Sequence, residues 1–300
     1  MGFAGFPTIP TIAAIQFVFP EPDPARDLRD RKAASVLSSL SKSLAVVFFL
    51  LLVTPTQATI ISLYNGAGLP SDQLWLNYAD NAALSGGVAS QSPVTGGVRL
   101  LTDATVKAGY SNYTPSQSLK NSAFPILNRH HGFELNFQAA LTAESHSSND
   151  RAGFSVTLLS DDLYGIELGF WSSRIWAQSD SPLFQQAEAT NLSATGPHNY
   201  RLRVLNNSYT LFQSETAVLT GQLRNYSAFS GPVNPYSLNN FLFLGDNTSS
   251  ASADLQLGPV SLQSSLLSVP EPTPPFLLLI SIAATAVSTR LRKKFHSAEK

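Results

Sequence analysis

Cysteine is absent from the 300 residues, and methionine occurs once. Without thiols the chain has no disulfide framework, no thiolate nucleophile and no thiolate zinc site. Charge is scarce too, since Asp, Glu, Lys and Arg make up 13% of the residues. Between Thr59 and Val269 there are 9 Lys/Arg and 14 Asp/Glu, a net of −5, so the positive charge gathers at the two ends. A mildly acidic body argues against nucleic acid as a partner. Long apolar runs are missing as well. Leu44–Val53 and Phe276–Thr289 hold ten and 14 uncharged residues, against about 20 for a comfortable membrane span. No Walker-type phosphate loop, Gly-x-Ser-x-Gly elbow or His-Glu-x-x-His pair occurs, which removes the usual signatures of nucleotide, serine-hydrolase and zinc-peptidase chemistry.

The two apolar runs have different settings. Before Leu44 lie Arg26, Arg29, Arg31, Lys32 and Lys42, and after Val53 come Pro55 and the small-x-small triplet Thr56-Gln57-Ala58. A basic stretch, a short apolar core and a small-residue site make a secretory signal peptide, with cleavage expected after Ala58. The alternative is an N-terminal membrane anchor. Residues 1–24 are apolar and proline-rich and fit no signal peptide, so the functional start is expected downstream of Met1. Residues 1–58 are therefore set apart from the folded body.

The second run is preceded by Val269-Pro270-Glu271-Pro272 and followed by Arg290, Arg292, Lys293 and Lys294. The prolines hold the approach extended. The basic cluster keeps its end on the cytoplasmic side, which leaves the body outside. Pro-Glu-Pro, a short apolar helix (276–289) and a basic tail (290–294), in that order, resemble the PEP-CTERM sorting signal of bacterial surface proteins. The resemblance covers 269–294, with 263–268 as a linker. It implies an exosortase-type enzyme as partner, transit through the cytoplasmic membrane, and a destination at the cell envelope or outside the cell. The alternative is an ordinary single-pass anchor.

Between the ends, helical periodicity is hard to find and alternation is common. Phe133, Leu135, Phe137, Ala139 and Leu141 alternate with more polar residues; so do Phe154, Val156 and Leu158, then Ile166, Leu168 and Phe170, then Tyr200, Leu202 and Val204. Phe241/Phe243 and Leu255/Leu257 open two more such runs. This is the period of half-buried strands. Turn signals such as Ser148-Asn149-Asp150, Asn206-Asn207-Ser208 and Gly245-Asp246-Asn247 separate them. The expectation is an all-β domain over 59–262, an antiparallel β-sandwich or jelly roll. Thr102–Tyr113 opens the run of strands and ADLQLGPVSL returns to pair near the start. The order of elements resembles the concanavalin A-like lectin/glucanase fold, including laminin-G-type modules. That likeness implies a concave ligand-binding face.

Parity assigns Gln138, Thr142, Glu144, Ser155, Thr157, Glu167, Trp171, Trp176 and Gln178 to the side away from the core. With neighbouring strands in register they would share one face. Trp171 and Trp176 are then a candidate stacking platform for sugar rings, with Glu167, Glu144, His146 and Arg151 as candidate ligand contacts. A glycosidase needs two carboxylates across a cleft, and Glu144 and Glu167 are the pair on offer. Glucanases of the resembled fold carry several acids on one strand, whereas Gly165–Trp171 carries one, so no catalytic residue is assigned. No metal site or cofactor is assigned either; Glu144, His146 and Asp150, or Asp150, Asp161 and Asp162 for calcium, are the weaker alternatives. The plainer expectation for this segment is a hairpin loop with Asn149-Asp150 at the turn and Arg151 paired to Glu144. Asp246 and Asp254 read as solvated. The leading function is an exported non-enzymatic protein associated with the surface or with exopolysaccharide; a carbohydrate-binding module and a divergent glycan hydrolase are the alternatives.

Overall fold

The computed structural model describes residues 59–266. The expected signal peptide with Ala58 lies outside the described residues, as does the expected sorting tail with Pro270, Glu271, Pro272, Arg290, Arg292, Lys293 and Lys294. Among the described residues, no helix is long and apolar enough to cross a membrane.

Among the described residues, fifteen strands make two antiparallel sheets that face each other as a sandwich. The first sheet contains β1 (Thr59–Tyr64), β3 (Ala89–Val94), β4 (Gly97–Thr102), β6 (Phe133–His146), β11 (His198–Leu205), β12 (Ser208–Gln213), β13 (Thr216–Gln222) and β15 (Ala251–Ser264). Its order is β13-β12-β11-β6-β15-β4-β3, with β1 also on β15. The second contains β2 (Asn77–Asp80), β5 (Ala108–Ser111), β7 (Phe154–Leu159), β8 (Gly165–Trp171), β9 (Arg174–Asp180), β10 (Leu183–Thr190) and β14 (Leu242–Asp246). Its order is β10-β9-β8-β7-β14-β5-β2. The first and last strands pair, Ile61 opposite Leu262; Thr102–Tyr113, expected to open the run of strands, instead follows four strands and carries β5 of the second sheet.

The alternating residues do what their period demands. Leu135, Phe137, Leu202, Val204 and Leu211 from one sheet meet Val156, Leu158, Leu168, Phe170 and Leu244 from the other, all buried. Aromatic rings lock the layers. Phe137 stacks on Tyr200 at 5.1 Å within its sheet and meets Phe170 of the opposite sheet edge-on at 6.3 Å.

The long pair β6–β15 carries two irregularities. One lies between Leu257 and Val260, where Pro259 has no N–H to give a ladder. There β15 changes its second neighbour, from β4 (Asp254–Leu257) to β1 (Val260–Ser264). The other passes over Thr142: Leu141 lies opposite Leu255, and Ala143 opposite Asp254. A single extra residue reverses which side the following side chains face. Glu144 thus lies opposite the buried Ala253, and His146 opposite the buried Ala251. At this end the sheets nearly touch. A Cβ on Gly153 would fall 2.2 Å from the Ser252 carbonyl carbon.

Two expectations about charge are corrected. Asp254 is not simply solvated but held by Arg99, two nitrogens at 2.7 Å from its two oxygens. Asp246 is fully buried between the sheets. Its carboxyl accepts from the Thr102 hydroxyl (2.8 Å) and the Thr248 N–H (3.0 Å), and the Thr102 oxygen accepts from the Ala253 N–H (3.0 Å). This clasp ties β14 of one sheet to β4 and β15 of the other.

Burial pushes the Asp246 carboxyl up from 3.8 to about 8, against those hydrogen bonds and the more distant charges of Arg151 and Lys107. Between these values the folded chain holds a proton that the unfolded chain has released. The contribution of Asp246 to folding stability therefore falls as pH rises from about 4 to 8 and levels off beyond. Asp246→Asn should remove this slope. Urea midpoints of the two proteins across that range check it, and parallel pH profiles would contradict it.

Candidate functional site

The six candidate ligand contacts do come together, at the end of the sandwich where β6, β8 and the 147–153 turn meet. The His146 ring lies flat on Trp171, centroids 3.9 Å apart and planes 5° from parallel. His146 Nδ1 touches the Glu144 carboxylate. Trp171 meets Trp176 edge-on at 4.6 Å, and its Nε1 donates to the Arg151 carbonyl at 3.0 Å. Arg151 does not pair with Glu144 as the loop expectation had it. Its guanidinium faces Glu167 at 3.3 Å and donates to the Asn247 side chain at 2.7 Å. Glu144 is engaged by His146, two residues along the same strand, and Arg151 turns to the second sheet instead.

The shared face also needs correcting. Gln138 and Thr142 sit on the first sheet, and Ser155, Thr157, Glu167, Trp176 and Gln178 on the second. The two sets lie on opposite outsides of the sandwich. Parity is right within each sheet, but it cannot say which strands share one.

The outside of the second sheet is covered. Segment 223–241 crosses it, pinned to β8 by a reciprocal pair of backbone bonds between Gly165 and Arg224 (2.8 and 2.9 Å). Tyr226, Tyr236, Phe241, Tyr113 and Leu159 form a second small core there, with Phe184 of β10 and Phe229 packed against it. Trp176 lies across Gly169, where a Cβ would stand 2.5 Å from its ring.

Glu167 is at the centre of this layer, with no exposed surface. One carboxylate oxygen takes the Tyr236 hydroxyl; the other takes the Asn247 side-chain N–H at 3.0 Å and faces Arg151. The Tyr226 hydroxyl enters where the β8–β9 ladder ends. It accepts from the Glu167 N–H (3.1 Å) and donates to the Gln178 carbonyl (2.8 Å). Burial, and then the charge of Glu167, raises the Tyr226 and Tyr236 phenols well above their usual range. Both stay protonated, as donors to a carboxylate and a carbonyl must. Nothing in the local sequence marks Tyr226, Tyr236 or Asn247 for this role, since they lie in turns with no period to read.

Two of the three aspartates considered for calcium are otherwise engaged. Asp162 is held by Arg129 at 2.7 Å and by Ser160, and Asp150 accepts from the Gln186 N–H at 3.0 Å. Among the described residues no group of three or more His, Asp or Glu is placed to hold a metal ion.

The outside of the first sheet has a groove of about 380 Å³. Ser261, Asn136, Arg201 and Phe212 form one in-register row across β15, β6, β11 and β12, and Gln138 lies opposite Asn199 in the next row. The 214–215 turn and Pro259 stand at its ends. Arg201 lies 4.0 Å over the Phe212 ring and pairs with Glu215 (2.7 Å) and Glu134 (3.3 Å); Arg203 pairs with Glu134 at 2.5 Å. The alternating pattern put Arg201 and Arg203 outward, but nothing in it marked the groove.

Glu167→Gln would leave the Arg151 charge enclosed without its counterion, at an expected cost of about 3–5 kcal/mol. Urea denaturation measures this, and Glu167→Gln combined with Arg151→Met should recover part of the loss. A single-variant loss under about 1 kcal/mol, the scale of one ordinary hydrogen bond, would contradict the network.

No protein-family model and no curated protein matches the chain. Among solved structures it is similar to the carbohydrate esterase vb_24B_21 of Shiga toxin-encoding bacteriophage phi24B, at 12% identity and TM-score 0.41, over 69% of this chain and 100% of that one. It is similar to the metal-free VIP36 exoplasmic/lumenal domain at 11% identity and TM-score 0.40, over 69% and 92%. It is also similar to Trypanosoma rangeli sialidase in complex with 2,3-difluorosialic acid, at 12% identity and TM-score 0.39, over 69% and 31%, so the chain spans about a third of that sialidase. At these TM-scores the likenesses carry no weight for activity or ligand. The sandwich is established by the chain's own strand ladders.

Proposed function

We propose that the chain is an exported, non-enzymatic β-sandwich protein of the cell envelope or the extracellular polysaccharide. The signal peptide ending at Ala58 directs it across the cytoplasmic membrane. An exosortase-type enzyme then recognises Pro270-Glu271-Pro272 while 276–289 and the basic residues Arg290, Arg292, Lys293 and Lys294 hold the tail in place. In this reading the tail is an address and the sandwich is its cargo.

The observation that carries the non-catalytic part is the state of Glu167. A glycosidase acid must reach the glycosidic oxygen, and this one is enclosed by Tyr236, Asn247 and Arg151. That weighs against the divergent-hydrolase reading. The Trp171–Trp176 platform is weakened in the same way, because Trp176 is fully buried and His146 already lies on Trp171.

Glu271→Ala, expressed in an exosortase-bearing host, should leave the tail unprocessed and the protein in the membrane fraction. The mass of the mature protein's two ends, with its cell fraction, reads both outcomes. A normally trimmed and released variant would overturn the sorting proposal.

A further inference from the structure

From the open face of the first sheet, we infer a binding site for a neutral oligosaccharide, in the groove over β15, β6, β11 and β12. The inference deepens the reading of a polysaccharide-associated protein and rests on that reading for its setting only.

Three observations carry it. The first is access: segment 223–241, with Phe184 packed against it, covers the outside of the second sheet, while the first keeps a groove of about 380 Å³. That lies within the range of small-ligand sites, about 300–1,000 Å³.

The second is chemistry. Three amide side chains, Asn136, Gln138 and Asn199, line the groove together with the hydroxyl of Ser261. Each amide can both donate and accept, which is what a row of sugar hydroxyls needs. Gln138 Nε2 donates to Asn199 Oδ1 at 3.1 Å, which fixes the two side chains against each other and leaves the Asn199 amide hydrogens for a ligand. The groove's cation is already spoken for. Arg201 lies on Phe212 and is neutralised by Glu215 and Glu134. No unpaired charge remains there to select an anion, and the body's net charge of −5 disfavours polyanions further.

The third is geometry. The Ser261-Asn136-Arg201-Phe212 row crosses four strands in register. Strands lie about 4.8 Å apart, a spacing close to one pyranose unit along a chain. A glycan lying across the strands would meet one outward side chain per sugar. A peptide is disfavoured, because extended peptides add to sheet edges, where backbone groups are free. The backbone of these central strands is already paired on both sides.

The experiment uses the purified full-length chain and a panel of short neutral oligosaccharides from β-glucan, mannan and α-glucan. Polygalacturonate and alginate are the anionic arms, and calorimetry at low and high salt is the readout. At least one neutral oligosaccharide should bind with little salt dependence. Asn199→Ala and Asn136→Ala should each weaken it about tenfold, the loss of roughly one good hydrogen bond. Trp171→Ala should bind as the wild type does. Both groove residues point outward from the sheet, and unchanged melting temperatures verify that the variants fold. Failure of every neutral probe would overturn the inference. So would undiminished binding in the two Asn variants, or a salt-suppressed preference for the polyuronates. A Glu271→Ala chain that is missorted yet binds normally separates this site from the sorting proposal, and a correctly sorted chain without binding fails the groove alone.

Discussion

The antiparallel pairing of β6 with β15 holds the rest of the structure in place. It joins residues more than a hundred positions apart, from Phe133 opposite Ser264 to His146 opposite Ala251. On its inner side Leu135, Phe137, Leu255, Leu257 and Leu262 supply much of the first sheet's share of the core. On its outer side Asn136 and Ser261 line the groove. Both neighbours of β15 on its far edge, β4 and β1, depend on where Pro259 breaks the ladder. The bulge at Thr142 puts Glu144 and His146 on the side of Ala253 and Ala251, and at the sandwich end the His146 ring reaches Trp171. One pair of strands therefore sets the core, the groove and the aromatic cluster at the sandwich end.

The two outer faces have opposite fates. The second sheet carries an acid, two tryptophans and several hydroxyls on its outside, which looks like a binding surface when read along the chain. The structure uses them as a second core: Glu167 is neutralised by Arg151 and satisfied by Tyr236 and Asn247, while the Tyr226 hydroxyl completes the ladder between β8 and β9. A buried carboxylate is tolerated only when its charge and lone pairs are met, and here they are. The first sheet's outside has less aromatic surface and more amides, and it stays open.

The sequence was legible where burial leaves a local mark. Strands β6, β7, β8, β11 and β15 each bury alternate aliphatic or aromatic residues, and the period shows; in β14 it misleads, because the main core takes Leu242 and Leu244 while Phe241 and Phe243 turn to the second small core. Strands β2, β3 and β10 do not: they are edge strands or short, half-exposed on both sides, and β3 contains Pro93 opposite Val98. Parity placed Glu167, Trp171 and Trp176 together because strand order within β7–β9 follows the chain. It failed for Gln138 and Thr142, because β6 belongs to the other sheet and no local pattern reports a long-range pairing. The partner of Arg151 is equally silent, because Glu167 and Asn247 lie far from it along the chain. Segment 223–241 has no period, and its closure over Glu167 depends on contacts with residues far along the chain.

The outside of the second sheet is sealed as part of the core, which leaves the first sheet's groove as the open surface. Native-state hydrogen exchange on the full-length chain tests this at one amide, the Glu167 N–H that donates to the Tyr226 hydroxyl. That amide should exchange only through global unfolding, with the same free energy and denaturant dependence as the Leu168 amide in the core. Exchange through a local, denaturant-insensitive opening of 223–241 would contradict it, because the face would then be accessible to ligand after all.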